Sequence, residues 1–573
     1  MSKSTRVAAI VLLFFLPAAL RLIPIRHGLP ENYLPDTHIV RSALGMAKDK
    51  NPVPPVLKYS SYPNLLPYCL LPIYATQYVA GRVSGEWGGA EEFGHVVQSD
   101  PARVHLPARL LVALFGILTP WVVFRTARAA GLQRGAWVAA WLVTTGLLHT
   151  HFSVQERPWV PMVFFFALSG WPAVRYASDP RPRWLLLSGV AAGLAFATHQ
   201  AGLGALGISG FAWLLSGPGW RGRELRSRLL HGVGAVALFG VVSLALGHPY
   251  LLVHGPPPQE EFAGAESWEE TDAPSFSIAG QAIRLQIRPE SFTRLSAALF
   301  GYDPVLLILG VLGIPLALRR RATRAPTAFA LLWAAFFMTN QNDHVRYLLP
   351  LCVLLAWPAG CLAERLWNPR WGRGVMVAAL ALALAQSARL GWVLTRADTR
   401  EAAAELLAGL PAGSRVVIDR YGPVVALDAA SLDRISEWRE LRTREAFRRE
   451  RLRVGVEPDA GLDAVRVEDF LLFDDRRETV DLAPGRAELG TTAAEALTRL
   501  GATHVLLVRR YPDGARAHPL ASLLSGEPIA VVDPSAEELA SEAYLPMEMR
   551  FPLRGLWQVS RPGPWMGLYE WRP

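Results

Sequence analysis

The sequence predicts an α-helical polytopic membrane protein of about eleven to thirteen transmembrane helices, followed by a small soluble α/β domain. Two observations carry this. Apolar runs of membrane-crossing length, roughly 20 residues, recur from Val7 to Trp392, and none of comparable length follows Ala397. Hydrophobic residues make up 51% of the 573 positions, yet 19% are charged and the mean hydropathy is only +0.21, so a polar part accompanies the apolar one. The division expected is 1–396 as a multi-span domain and 397–573 as an extracytoplasmic α/β domain.

Charge sets the direction of the spans. The formal net charge is +9, but the arginines lie in short clusters between apolar runs rather than in one patch interleaved with aromatics. That pattern excludes nucleic acid as a partner and implies a lipid bilayer. With the clusters inside, the N-terminus carrying Lys3 and Arg6 is cytoplasmic, and Val7–Ile25 is a retained first helix rather than a cleaved signal. Runs at 106–126, 158–174, 203–215, 305–318 and 347–362 go inward; those at 136–148, 184–197, 229–246, 328–339 and 375–392 go outward. The apolar stretch 64–79 is followed by no arginine cluster and contains Pro67 and Pro72, so it is read as a helix in or dipping into the interface. Four parts then face outward: the first loop with Asp36, the loop with Glu156 and Arg157, the loop from Pro249 to Asp303, and the C-terminal domain. The arginine-rich composition favours a bacterial inner membrane.

A site at that face suits sugar transfer from a lipid phosphate. Such a reaction needs a carboxylate to take the acceptor's proton and cations to hold the leaving phosphate as its charge grows. It needs no general acid, because a phosphate leaves as a stable anion, and the outcome is inversion at the anomeric carbon. Asp36 suits the base. Arg346, in Asn342-Asp343-His344-Val345-Arg346-Tyr347, suits the phosphate through its planar fork, and its plain alternative is an interfacial arginine snorkelling at a helix end. Arg157, in Gln155-Glu156-Arg157-Pro158, is a second phosphate candidate, with a surface pair to Glu156 as its alternative. Glu156, His38 and Tyr62 are candidates for orienting substrate.

These motifs, in this order, resemble the GT-C polytopic glycosyltransferases, the kind that includes protein O-mannosyltransferases and the aminoarabinose lipid A transferase. The likeness runs through Asp36 in the first outer loop and Tyr62-Pro63-Asn64-Leu65-Leu66-Pro67 before a short helix. It continues with Leu106-Pro107-Ala108-Arg109-Leu110 opening a span, Arg157-Pro158, and Arg346-Tyr347-Leu348-Leu349-Pro350 late in the bundle. Thr37 stands where many relatives carry a second acidic residue. The resemblance implies a polyprenyl-phosphate sugar donor, a lipid, glycan or protein acceptor, and an extracytoplasmic tail domain. A transporter or flippase for a lipid-linked sugar is the competing class. That class favours inverted repeats with broken helices and charge near the midplane; no convincing internal repeat is found, and the ionisable residues are read at helix ends rather than mid-span.

Other features read more simply. His149 and His151 do not share a helix face and are expected at a helix end, so no metal ligand is assigned and no cofactor is required, though a divalent metal is compatible with the chemistry. His199 is read as a turn histidine. Cys69, Cys352 and Cys361 lie in apolar sequence as small core residues. The acidic run from Glu260 to Asp272 reads as a solvated loop. In the tail, 400–410 and 492–500 are expected helices, with Thr491 or Thr492 as cap of the second. Strands are expected at 415–419, 504–508, 528–532 and 567–571.

Overall fold

The structure, a computed structural model, describes residues 7, 10–33, 37–55, 58–59, 62–216, 221–255, 275–278, 281–284, 289–339, 345–474, 479–509, 520–535 and 553–572. Asp36 and the acidic run from Glu260 to Asp272 lie outside these. The chain forms two compact units. One comprises Met1–Ile25, Asp36–Ala80 and Val104–Gly391; the other comprises Arg26–Pro35, Gly81–Arg103 and Trp392–Pro573. The second unit therefore takes in both ends of the first loop region as well as the tail expected from Ala397.

Each apolar run read as a span is helical over most of its described residues, and between these runs lie other helices. In chain order they are α1 Leu16–Leu22, α2 His38–Asp49, α3 Leu65–Ser84, α4 Ala90–Ser99, α5 Ala102–Ala129, α6 Arg134–Thr144, α7 Leu147–Ser153, α8 Trp159–Ser178, α9 Pro182–Thr198, α10 Gly204–Ser216, α11 Gly222–Val242, α12 Tyr250–Val253, α13 Pro289–Tyr302, α14 Pro304–Arg319, α15 Arg321–Thr339, α16 Leu349–Leu354, α17 Ala356–Leu366 and α18 Arg370–Leu394. Among the described residues, three helical stretches are long and apolar enough to cross a membrane by themselves: Ala102–Ala129, Gly222–Gly247 and the one beginning at Arg370. A fourth counts if the stretches Val345–Leu354 and Ala356–Leu366, bent by 41°, form one span. The remaining runs are interrupted or shorter. The helix expected over 136–148, for example, ends at Thr144 and restarts as α7 at Leu147, where Asp303 caps it by accepting the Leu147 and Leu148 backbone N–H groups at 2.6 and 3.2 Å. Two short strands, β1 Ser275–Ile278 and β2 Gln281–Arg284, pair antiparallel within the loop from Pro249 to Asp303.

Small residues set the closest helix approaches, as is usual where apolar packing against lipid offers no preference. A Cβ added to Gly135 on α6 would lie 2.0 Å from the Gly360 carbonyl oxygen on α17, and one on Gly313 of α14 would lie 2.0 Å from the Pro358 carbonyl oxygen. Backbone faces backbone there, so neither side can yield cheaply. Gly135→Val is expected to cost about 1–3 kcal/mol or more, read as a lower Tm in detergent. Gly374→Ala, whose Cβ meets nothing within 4 Å, is expected to leave Tm unchanged.

The second unit holds α19 Thr399–Ala408, β3 Val416–Ile418, α20 Ala429–Trp438, α21 Thr443–Arg453, β4 Ala464–Arg466, β5 Leu471–Asp474, β6 Thr479–Leu482, α22 Ala493–Arg499, β7 His504–Val508, β8 Ala530–Val532 and β9 Met566–Glu570. Five strands form one sheet in the order β4-β3-β7-β9-β8, and β5 pairs with β6 as a separate hairpin. β3 runs parallel to β4 and β7, while β9 is antiparallel to β7 and β8. Strands β3 and β7 are almost wholly apolar and buried, as parallel strands covered on both faces require. Helix starts carry the capping residues that composition suggests: Asp398, Asp428 and Thr492 each accept a backbone N–H of the first turn.

Candidate functional site

The first unit brings residues distant in sequence into two adjoining clusters. Glu156, fully buried, anchors one. Arg109 donates from Nε to its Oε2 at 2.6 Å, and His105 Nδ1 lies 2.9 Å from its Oε1. Both partners project from the first two turns of α5, four residues apart and so on one face. Arg109 also donates to the Ile25 carbonyl at 3.2 Å, which ties the end of the first helix to the same point. Burial by itself would raise the Glu156 carboxyl, but the Arg109 charge and the contacts with His105 outweigh it and hold the group down at about 2.

Trp159, three residues on, anchors the other cluster. Its ring packs against His199 (centroids 4.0 Å) and edge-on against Tyr347 (4.9 Å), and the Arg346 guanidinium lies 5.7 Å above it. His199 continues to Tyr62 at 5.1 Å, and Tyr62 to His38 at 5.3 Å. His199 accepts the Ala201 N–H at Nδ1, 3.0 Å, so its proton sits on Nε2. Burial first, and the Arg346 charge second, push its imidazole down to about 3, which keeps it neutral at physiological pH.

Of the six candidates, His38, Tyr62, Glu156, Arg157 and Arg346 are described, and Asp36 is not. His38, Tyr62 and Arg346 meet in the aromatic cluster, although 308 positions separate the first from the last (346 − 38). Glu156 and Arg157 sit on the buried turn leading into Trp159, Arg157 being 1% exposed. The reading of Arg157 and Glu156 as a surface pair is thereby corrected: the apolar bundle closes over this turn, and a charge held there needs fixed partners. Trp159, His199, Arg109 and His105 complete the arrangement. Of these, Arg109 had the clearest signal, a charge near the start of the apolar run 106–126.

A further buried arginine was not foreseen. Arg21 on α1 donates to the Thr144 and Val143 carbonyls at the end of α6, at 3.2 and 3.4 Å, and to Ser153 Oγ at 3.2 Å; its Nη2 lies 2.9 Å from His149 Nδ1. It thus caps a helix C-terminus, where a cation is favoured. His151 contacts Gln155 at 3.0 Å. Among the described residues, no three His, Cys, Asp or Glu side chains are grouped as a metal ion would require.

Residues 102–246 match the family model described as dolichyl-phosphate-mannose-protein mannosyltransferase. The resemblance to the GT-C polytopic glycosyltransferases therefore holds over α5 to α11, the stretch that carries His105, Arg109, Glu156, Arg157, Trp159 and His199. No curated protein matches the chain as a relative. Among solved structures, ArnT from Cupriavidus metallidurans in the apo state is similar at 16% identity and a TM-score of 0.43, over 91% of this chain and 95% of that one. The same protein bound to undecaprenyl phosphate is similar at 17% identity and a TM-score of 0.43, over 71% of this chain and 65% of that one. The Archaeoglobus fulgidus oligosaccharyltransferase tethered with an acceptor peptide is similar at 12% identity and a TM-score of 0.43, over 92% and 73%.

Proposed function

We propose that this protein is an inverting membrane glycosyltransferase that moves a sugar from a polyprenyl-phosphate donor onto a lipid, glycan or protein acceptor. It works at the outer leaflet of a bacterial inner membrane, with about eleven spans, a cytoplasmic N-terminus and an extracytoplasmic C-terminal domain. The observation that carries this reading is the row of rings from His38 through Tyr62 and His199 to Trp159, with Arg346 above Trp159, beside Arg157 and Glu156. That turn lies within the segment matching a family named for lipid-phosphate-linked mannose donors.

Each residue has a task. The Asp36 carboxylate takes the proton from the acceptor as its oxygen or nitrogen attacks the anomeric carbon. The bond from that carbon to the phosphate oxygen breaks, and its electron pair leaves with the phosphate. Arg346 and Arg157 meet the growing charge, a role that guanidinium forks perform well in a site poor in water. Glu156, held by Arg109 and His105, keeps the turn that aims Arg157. His38 and Tyr62 orient the substrate along the aromatic row, where flat rings suit the apolar faces of sugars.

The test is a mass-spectrometric profile of envelope glycans and lipid-linked sugars in three strains: native, deleted for this protein, and the deletion complemented with Asp36→Asn. The expected result is loss of the same glycan in the second and third strains, with the lipid-linked sugar accumulating. Full restoration by Asp36→Asn would turn the reading toward a protein that moves the lipid-linked sugar without breaking its bond.

A further inference from the structure

The start of α7 is capped from far away in the chain. A helix ordinarily takes its cap from the residue before it, but here that residue is Gly146, which has no side chain to offer. Its position is also tight: an added Cβ would lie 3.0 Å from the Leu142 carbonyl oxygen. The Leu147 and Leu148 N–H groups go instead to the two oxygens of Asp303, and the bond to Leu147 spans 156 positions. Asp303 is 5% exposed. Burying a carboxylate is costly, and these two bonds, with the positive end of the helix, offset that cost. A local cap would meet the same N–H groups but tie α7 to nothing else. The remote carboxylate joins two parts of the bundle.

One part leads to Arg157. The seven residues of α7 are all buried and make about two turns. At its far end Ser153 Oγ donates to the His149 carbonyl at 2.6 Å and accepts from Arg21 Nε at 3.2 Å. Helix α5 closes over the same point at Gly116, where an added Cβ would lie 2.5 Å from Ser153 Oγ. The turn that follows is drawn in by the Arg157 N–H, which donates to the Gln155 carbonyl at 2.9 Å, and by His151 against Gln155 at 3.0 Å. Little slack remains between Leu147 and Arg157 to absorb a shift at the start of the helix.

The other part leads to Arg346. Asp303 is the corner between α13 and α14: its N–H donates to the Leu299 carbonyl at 2.8 Å, and its carbonyl accepts the Leu307 N–H at 3.0 Å. Helix α13 packs on the turn Val345–Leu348 that carries Arg346, and α16, which follows that turn, packs on α7. We infer that Asp303 is a positioning residue: it sets Arg157 against Arg346, so that both guanidinium groups reach one donor phosphate. This rests on the reading of those two arginines as the phosphate grip. Both Asp303 oxygens are engaged by α7, so it acts through the backbone it holds and not on the substrate.

The experiment is a double-variant cycle on the full chain in nanodiscs. It is read by equilibrium binding of undecaprenyl phosphate, well below the Tm of each variant. Arg157→Met is expected to weaken binding, which tests the grip. Asp303→Ala is expected to weaken it about ten- to hundred-fold, as a displacement of about 1 Å at a two-armed contact does. Asp303→Asn keeps an oxygen for one of the two N–H groups and is expected to lose less; it carries the same cycle where the alanine variant does not fold. In the Arg157→Met background, Asp303→Ala is expected to change affinity less than about two-fold, because residues that act through one another are not additive. Native affinity in Asp303→Ala, whatever its Tm, would make the residue a structural cap alone and overturn the positioning role. An equal loss in both backgrounds would overturn it too, and leave the grip standing. Native affinity in Arg157→Met would remove the grip, and the positioning role with it.

Discussion

With the donor identified by the glycan profile, purified Asp36→Asn is expected to transfer sugar about 10²- to 10⁴-fold more slowly than the native protein, with donor binding nearly unchanged. That range is what a positioned general base contributes. The amide keeps the size of the carboxylate but cannot take the acceptor's proton, so the loss belongs in kcat rather than in donor affinity. Glu156 cannot stand in for it. Its two oxygens are engaged by Arg109 and His105, and a carboxyl held at about 2 is too weak a base to draw a proton at neutral pH. A single-turnover assay with equilibrium donor binding measured in parallel separates the two quantities. Equal losses in both would move Asp36 from proton transfer to donor recognition.

The second large effect is structural. Glu156→Gln leaves the Arg109 guanidinium buried against a neutral amide. Breaking a buried pair by removing one partner costs about 3–5 kcal/mol, because the remaining charge is left uncompensated. A steep fall in Tm in detergent is expected, together with loss of activity through the turn that holds Arg157. The double variant Arg109→Met, Glu156→Gln is expected to recover much of that Tm, since neither charge then remains. The pH dependence has a definite sign. The folded Glu156 carboxyl sits at about 2 against an ordinary 4.5, so its stabilising contribution is complete above pH 4.5 and is lost as pH falls from there toward 2. The native Tm should decline across that window more steeply than that of Glu156→Gln.

Much of the architecture was legible because membrane helices and buried strands announce themselves by apolar length. The runs at 106–126 and 229–246 became α5 and α11, and β3, β7, β8 and β9 fell where β-branched and apolar residues cluster. Thr492 capped its helix as its side chain allows. The hairpin β5–β6 was not foreseen, because its strands mix charged with apolar residues and carry no turn signature. Of the site, Arg346 and Arg157 were visible as charges at helix ends, and Tyr62 as part of a motif. The partnership of Glu156 with Arg109 spans 47 positions and that of His199 with Tyr62 still more. No local pattern encodes such pairings; they exist only once the bundle has packed. The same holds for residues 26–35 and 81–103, whose place in the second unit depends on Arg400, Arg444 and Phe447 far along the chain.

Arg21 has a consequence for how the protein is made. A guanidinium inside an apolar helix costs a few kcal/mol, roughly 2.5–3.5 at the bilayer centre, when it enters lipid alone. Its own helix supplies one acceptor, the Pro17 carbonyl at 3.1 Å; the others lie at Val143, Thr144 and Ser153, more than a hundred residues later in synthesis. If Val7–Ile25 is the first span, as the sequence suggests, it leaves the ribosome with part of its hydrogen bonding unmet until α6 and α7 arrive beside it. Insertion is in that sense a joint event, in which an early helix waits at the translocation machinery for a late one. In a nascent chain stopped before residue 143, a cysteine placed in the first helix should stay open to a water-soluble thiol reagent that it escapes in longer chains.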